Sequence, residues 1–418
     1  MRECAEAHGR EQIILAMKTV GKSAIGKFID RGTFFAGLLV YAGLMFLNFR
    51  QQALGLVESD MDAYIQEMLG TNTKYEFPYP IYFKLGALIH MVVSSPQYSM
   101  TIAAVLLCMG SAAVLKYYMD QEIKRYVRES GWRQGLVSTM AAFSLLAVSM
   151  LYVPTGYRFP GIPFDYVGVF SPNPFHNATY NAARPFAVAS FFLFAAILPE
   201  YEKKADWKKY LAFSISLLLA TLTKPSFTLV LVSAAGLIML YRLVRGRGRG
   251  IMAALKLGLT FLPTFIALLY QFVGVFDPAG GEGGIGVGFL TVWTHYCGNV
   301  LIALVLAAGF PLIVLLCHVK ELGQQGLYRF SWQFYLVSLA EFVFLYEKGF
   351  RLVDANFSWG YMYGLFFVFV TSLLLIIRDS LQHRGRWWVR LLQWGMYGLH
   401  LVLGCYYLYR ILAGGSYY

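Results

Sequence analysis

The chain has 418 residues, of which 58% are hydrophobic and only 14% charged, where ordinary soluble domains carry about a quarter. With a mean hydropathy of +0.54, so few charges cannot cover a water-exposed surface, and a string of soluble globular domains is excluded. Lys and Arg outnumber Asp and Glu by 35 to 23, a net charge of +12; in a chain this apolar that surplus bears first on topology, and no nucleic-acid partner is expected.

Residues 1–32 are basic and lack a cleavable signal pattern. Ile13, Ile14, Met17, Ile25, Phe28 and Ile29 interleave with Lys18, Lys22, Lys27 and Arg31, which fits either a helix lying on the inner leaflet or a plain basic tail. Eleven apolar stretches follow, at about 33–49, 98–117, 135–153, 185–200, 209–223, 226–241, 251–275, 298–317, 331–346, 359–377 and 389–411, each at or near the length that crosses ~30 Å of hydrocarbon. The pair flanking Lys224-Pro225 can also be read as one broken helix. The predicted fold class is therefore an all-α polytopic membrane protein of about eleven spans. It forms one transmembrane domain over 33–411, with outer loops 50–97, 154–184, 276–297 and 347–358 and an outer tail 412–418. With the N-terminus inside, 26 of the 35 basic residues fall in cytoplasmic segments and 9 outside, which predicts an N-in, C-out chain in the cell membrane. The five cysteines, Cys4, Cys108, Cys297, Cys317 and Cys405, are scattered and make neither a disulfide framework nor a metal motif. No acidic or histidine ligand spacing appears, so neither metal nor cofactor is expected.

The outer segments hold the polar chemistry. In the first, Glu58-Ser59-Asp60-Met61-Asp62 opens a short helix to about Leu69, and a proline turn leads to an interfacial helix over about 81–94. A carboxylate at the membrane surface can serve as general base for an acceptor hydroxyl. Ser59 and Asp62 can instead form a capping box, with Asp60 complementing the helix dipole. Asp60 and Asp62, two apart on a helix, point in different directions; the capping alternative of Asp62 favours Asp60. The second segment, Phe170 to Pro185, crowds His176, Asn177, Tyr180 and Arg184 in front of a span. That suits sugar hydroxyls and a phosphate, and equally a rigid Pro-rich loop with mutual hydrogen bonds. Asn177-Ala178-Thr179 also matches a glycosylation acceptor. Lys224, at the Pro225 break, either snorkels to the interface or neutralises a phosphate in a cavity. His295 follows the Gly-rich stretch Gly280–Gly286, which reads as an outer loop because no strand precedes it. The last outer loop gathers Glu347, Arg351, Asn356 and Trp359. Glu347 and Arg351 can pair at i,i+4, and the Arg351 fork suits an oxyanion.

The first span followed at once by an outer loop with Glu58-Ser59-Asp60-Met61-Asp62 and two juxtamembrane helices, together with Leu222-Thr223-Lys224-Pro225-Ser226, resembles the multi-span glycosyltransferases of the GT-C type. The resemblance implies an inverting transfer with Asp60 or Asp62 as base. It also implies a polyprenyl-phosphate-linked sugar donor, with Arg184, Lys224 and Arg351 at the leaving phosphate, and a glycan or lipid-linked acceptor. Glu58, His176, Asn177, Tyr180, His295, Glu347, Asn356 and Trp359 would touch substrate. Two other functions fit the sequence: a polymerase of lipid-linked polysaccharide repeat units, and a transporter or flippase of a lipid-linked sugar.

Overall fold

The computed structural model describes residues 2–73, 77–127, 131–152, 166–275 and 283–416. Among the described residues the regular structure is helical apart from one two-stranded ribbon. Its helices are α1 (Arg2–Ala53), α2 (Met61–Leu69), α3 (Ile81–His90), α4 (Pro96–Lys124), α5 (Trp132–Leu145), α6 (Tyr166–Val169), α7 (Ala178–Ile197), α8 (Trp207–Thr223) and α9 (Ser226–Arg245). They continue with α10 (Ile251–Leu259), α11 (Leu262–Val275), α12 (Trp293–Tyr296), α13 (Val300–Cys317), α14 (Glu321–Gln324), α15 (Gly326–Phe344), α16 (Asn356–Leu381) and α17 (Trp387–Leu412).

Each of the eleven apolar stretches is wholly or partly helical. Among the described residues six helices are long and apolar enough to cross a membrane, or seven if the pair α10 and α11, bent by 56°, is one span. The protein is thus an all-helical, multi-pass membrane protein. Residues 1–32 are not set off from the first span by a break, since α1 runs unbroken from Arg2 to Ala53.

The centre of the bundle is α16, whose residues from Gly360 to Asp379 are all buried. A helix apolar on every side must be enclosed, and in lipid close approach needs small residues. Gly360 and Gly364 supply it: a Cβ on Gly364 would lie 2.0 Å from Ser338 Oγ of α15, and one on Gly360 would lie 2.7 Å from Val230 Cγ2 of α9.

The stretch predicted as a span over 135–153 is helical only to Leu145. The backbone groups that the break exposes inside the bundle must find partners. Asn173 Nδ2 donates to the carbonyls of Leu145 and Val148, both at 2.8 Å. His400 Nδ1 lies 2.6 Å from the Ser149 carbonyl, while its Nε2 accepts from Phe310 N–H at 3.1 Å, which fixes the proton on Nδ1. These bonds also anchor the segment that leads to Asn177.

Candidate functional site

Three helix starts, one helix break and a 3₁₀ turn converge on one polar chamber of about 310 Å³. Asp60 stands immediately before α2 and Tyr64 one turn into it. Asn177 caps α7, and Lys224 lies in the extended joint between α8 and α9, φ −166°, ψ 122°. Arg351 and Asp354 lie on a 3₁₀ turn, Gly349–Asp354, that precedes α16, and Asn356 and Trp359 begin that helix. The turn is held from behind by the ribbon, in which β1 (Ile285–Val287) pairs antiparallel with β2 (Leu345–Glu347). All of these except Tyr64 and Asp354 were expected at a site, and the structure brings them together with His176.

The carboxylate arrangement distinguishes Asp60 from Asp62. Ser59 Oγ accepts from Met61 N–H at 3.2 Å, and Asp60 makes no side-chain capping bond, so the capping box does not form. Asp60 Oδ2 receives Tyr64 Oη–H at 3.1 Å and Asn177 Nδ2–H at 3.0 Å. Its Oδ1 carries no hydrogen bond among the described residues, and Asp60 lines the chamber. Asp62 is exposed, accepts from Gln66 Nε2 at 2.8 Å and does not line the chamber.

Asn177 divides its amide between two tasks: Oδ1 accepts from Tyr180 N–H at 2.8 Å, capping α7, while Nδ2 reaches Asp60. It is 1% exposed, so Asn177-Ala178-Thr179 is no accessible glycosylation acceptor in the folded chain. Thr179 Oγ1 links the carboxylate side to the cation side. It sits 3.1 Å from Tyr64 Oη and accepts from Lys224 Nζ at 3.0 Å. Lys224 lies 4.7 Å from the centre of the Trp359 ring and has no ion pair among the described residues. Burial, only partly offset by the Asp60 charge, pulls its ammonium down to about 8. Burial and the Lys224 charge hold His176 at about 3, so its imidazole is neutral at any physiological pH. Burial likewise pushes the phenols of Tyr64 and Tyr79 well above their ordinary range.

Arg351 Nε lies 3.0 Å from Glu347 Oε2, without the alignment of a hydrogen bond, and 3.6 Å from Asp354 Oδ2. Asn356 Nδ2 donates to the same Glu347 oxygen at 2.7 Å. Glu347 therefore orients Arg351 and Asn356 from outside the chamber.

An apolar groove of about 410 Å³ opens next to the chamber, between Leu229 of α9 and Phe265, Leu269 and Phe272 of α11. The two cavities share Tyr79, Lys224, Arg351 and Asn356. Both cations thus stand where polar and apolar space meet.

Besides Asp62, four expected residues are elsewhere. Glu58 and His295 are exposed and line neither cavity. Tyr180 is buried behind Trp359, stacked on Tyr363 at 4.3 Å. Arg184, 1% exposed, lies between the rings of Tyr180 and Phe366, 5.2 Å from each, and reaches neither cavity. Beginning α7 at Ala178 puts Arg184 nearly two turns inside the bundle. The sequence reading passed over Tyr64, Thr179, Tyr79, Tyr296 and Tyr407. Tyr64, at i+4 from Asp60, was detectable by helical spacing; Tyr407, near the end of α17, carries no local signal. Part of the outer segment 154–184 and of the Gly-rich stretch, including Arg158 and Gly280, lies outside the described residues. No group of metal-ligating side chains occurs among those described.

No protein-family model matches the chain, and neither the curated proteins nor the solved structures contain a match to it.

Proposed function

We propose that the chain is a membrane glycosyltransferase of GT-C-like architecture, with about eleven spans, N-in and C-out. It moves a sugar from a polyprenyl-phosphate donor to an acceptor hydroxyl at the extracytoplasmic face. The observation that carries the reading is the junction of the polar chamber with the apolar groove at Lys224 and Arg351. An amphiphile with one phosphate between sugar and isoprenoid meets the same order of environments. Its tail lies against Leu229, Phe265 and Phe272, its phosphate at the two cations, and its sugar in the chamber beside Asp60 and the Trp359 ring.

In this reading the acceptor oxygen attacks the anomeric carbon while the bond to the phosphate oxygen breaks, inverting the centre. Asp60 Oδ1 takes the acceptor proton as that oxygen attacks; Tyr64 and Asn177 hold Oδ2 and thereby aim Oδ1. The phosphate gains negative charge as it leaves, and Lys224 and Arg351 supply the compensating charge at a preformed place. Neutral His176 serves as a hydrogen-bonding group. Arg184 has no part in this scheme.

Mass spectrometry of lipids retained by the purified protein tests the assignment. The expected finding is a polyprenyl-phosphate sugar that is consumed when a glycan acceptor is added, giving one product with a single added sugar. A ladder of repeat units would favour the polymerase, and translocation without a new glycosidic bond the transporter. Absence of any lipid-linked sugar, with no turnover when one is supplied, would sink all three.

A further inference from the structure

The bundle has a second cavity, of about 340 Å³, at the end opposite the Asp60 chamber. Its walls are the C-terminal turns of α4, with Glu122 and Arg125, the segment after α7, with Glu200, the first turn of α8, with Lys209, and the start of α15. Leu374 and Leu375 of α16 form an apolar floor. The α16 helix begins in the first cavity and lines the second in its latter half, so the two sites lie towards opposite ends of that helix. Trp132, Trp207, Trp387 and Trp388 are exposed at helix starts around this second end, as expected of an aromatic belt at a membrane interface.

Two kinds of charge meet over that floor. Arg125 Nη1 contacts Glu122 Oε2 at 2.8 Å. Lys209 holds Asp206 at 3.6 Å in a solvent-exposed pair, the kind that gives way readily to a better partner. Glu200 is exposed and has no ion pair among the described residues. The first residues of α15, Gly326 to Tyr328, line the cavity, and Gln325 before them makes no side-chain capping bond. Their N–H groups thus add positive partial charge to the same cavity as Arg125 and Lys209. The corner carrying them is rigid, because Arg378 grips Glu321 of α14 with two hydrogen bonds at 2.9 and 3.0 Å.

We propose that this cavity binds the headgroup of a phospholipid bearing a primary ammonium. Its phosphate would sit against Arg125, Lys209 and the start of α15, its ammonium against Glu200 and Glu122, and its upper acyl carbons on Leu374 and Leu375. Cations alone would select any anionic lipid; carboxylates within the same cavity select a zwitterion whose ammonium can donate hydrogen bonds. The site stands independently of the transferase reading.

The test is thermal unfolding of the delipidated full-length protein in detergent, titrated separately with phosphatidylethanolamine, phosphatidylglycerol and inorganic phosphate. Phosphatidylethanolamine is expected to raise the midpoint by several degrees at saturation, phosphatidylglycerol by less, and inorganic phosphate not measurably. Glu200→Gln should abolish the preference between the two lipids, and Lys209→Ala should weaken both; each side chain is exposed enough for its variant to fold. Equal responses to both lipids in the wild type, or a preference that survives Glu200→Gln, would overturn the ammonium assignment. Lipid responses unchanged in Lys209→Ala would show mere annular binding, and a full shift with inorganic phosphate would show a free-phosphate site; either overturns the proposal.

Discussion

The two ends of the bundle carry charge in opposite ways. At the end with α14, Arg378 is saturated: Nη1 and Nη2 bind Glu321, Nε binds Asp379 at 2.8 Å, and His318 Nε2 stands 3.7 Å from the other Asp379 oxygen. In the Asp60 chamber, by contrast, a carboxylate oxygen is left open, Lys224 touches a hydroxyl and a ring in place of a carboxylate, and Arg351 Nε stands near its acids without making a hydrogen bond. Buried charges that satisfy one another hold helices together. A buried charge left without a counter-charge, as on Lys224, costs stability, and its retention is best accounted for by something that binds there; Asp60 is exposed to the chamber.

The comparison breaks most sharply at the carboxylates. Asp60→Asn keeps the size and both contacts of Oδ2 but cannot take a proton, so the transfer rate should fall by roughly 10²–10⁴-fold, with an unchanged unfolding midpoint. Asp62→Asn, on the solvent side of the same turn, should leave the rate within a factor of two or so. Full transfer by Asp60→Asn would remove the base from this site altogether.

Next in size is the cation. Lys224→Met should lower kcat by roughly 10²–10³-fold, the usual effect of losing one charge-stabilising donor. Its pH dependence gives a sharper reading. Since burial holds the Lys224 ammonium at about 8, the charge is present below pH 8 and lost above it, and kcat/KM should fall as pH rises through about 8. Lys224→Arg, which stays charged, should remove that alkaline limb. Stability moves the other way: the cost of burying the ammonium is in full force below pH 8 and is relieved between there and the ordinary lysine value of ~10.4, so the unfolding midpoint of the wild type should rise over that window.

These residues also mark how far the sequence could be read. The apolar stretches, the Lys224-Pro225 break and the two short helices after the first span were legible because hydropathy and proline act locally. Other breaks within apolar runs were not, as at the 56° bend between α10 and α11, because hydropathy alone does not mark where a helix stops. Nor was the end of α5 at Leu145, which depends on Asn173 and His400, far away in the chain. Within the site, helical direction showed that Asp60 and Asp62 diverge, and the preference for Asp60 rested on a capping box at Asp62 that does not form, although Asp60 and not Asp62 lines the chamber. Its partner Asn177 was recognised as polar while its contact was not, and Tyr407 required the last helix to return to the first loop.

At the saturated end, Glu321→Ala should lower stability by about 2 kcal/mol, less than the ~3–5 kcal/mol of a fully orphaned buried charge because Asp379 remains beside Arg378. Transfer per folded molecule should not change. Denaturant unfolding and a rate normalised to folded protein separate the two effects, and a selective loss of rate would mean that the two ends are coupled.

The smallest effect is expected at Arg184, which belongs to neither pattern. It is as buried as Arg378 but has no carboxylate partner among the described residues, and its Nε and Nη2 make no hydrogen bond. The Tyr180 and Phe366 rings on either side provide cation–π attraction, which offsets only part of the cost of taking a guanidinium out of water. Arg184→Met fills similar volume without that cost and leaves no orphaned partner, so stability should change by less than about 1 kcal/mol or rise slightly. Because Arg184 reaches neither the chamber nor the groove, the transfer rate should stay within roughly threefold of wild type. A loss matching that of Lys224→Met would mean that α7 shifts to bring Arg184 to the phosphate when donor binds, and the division between satisfied and waiting charge would then have to be redrawn.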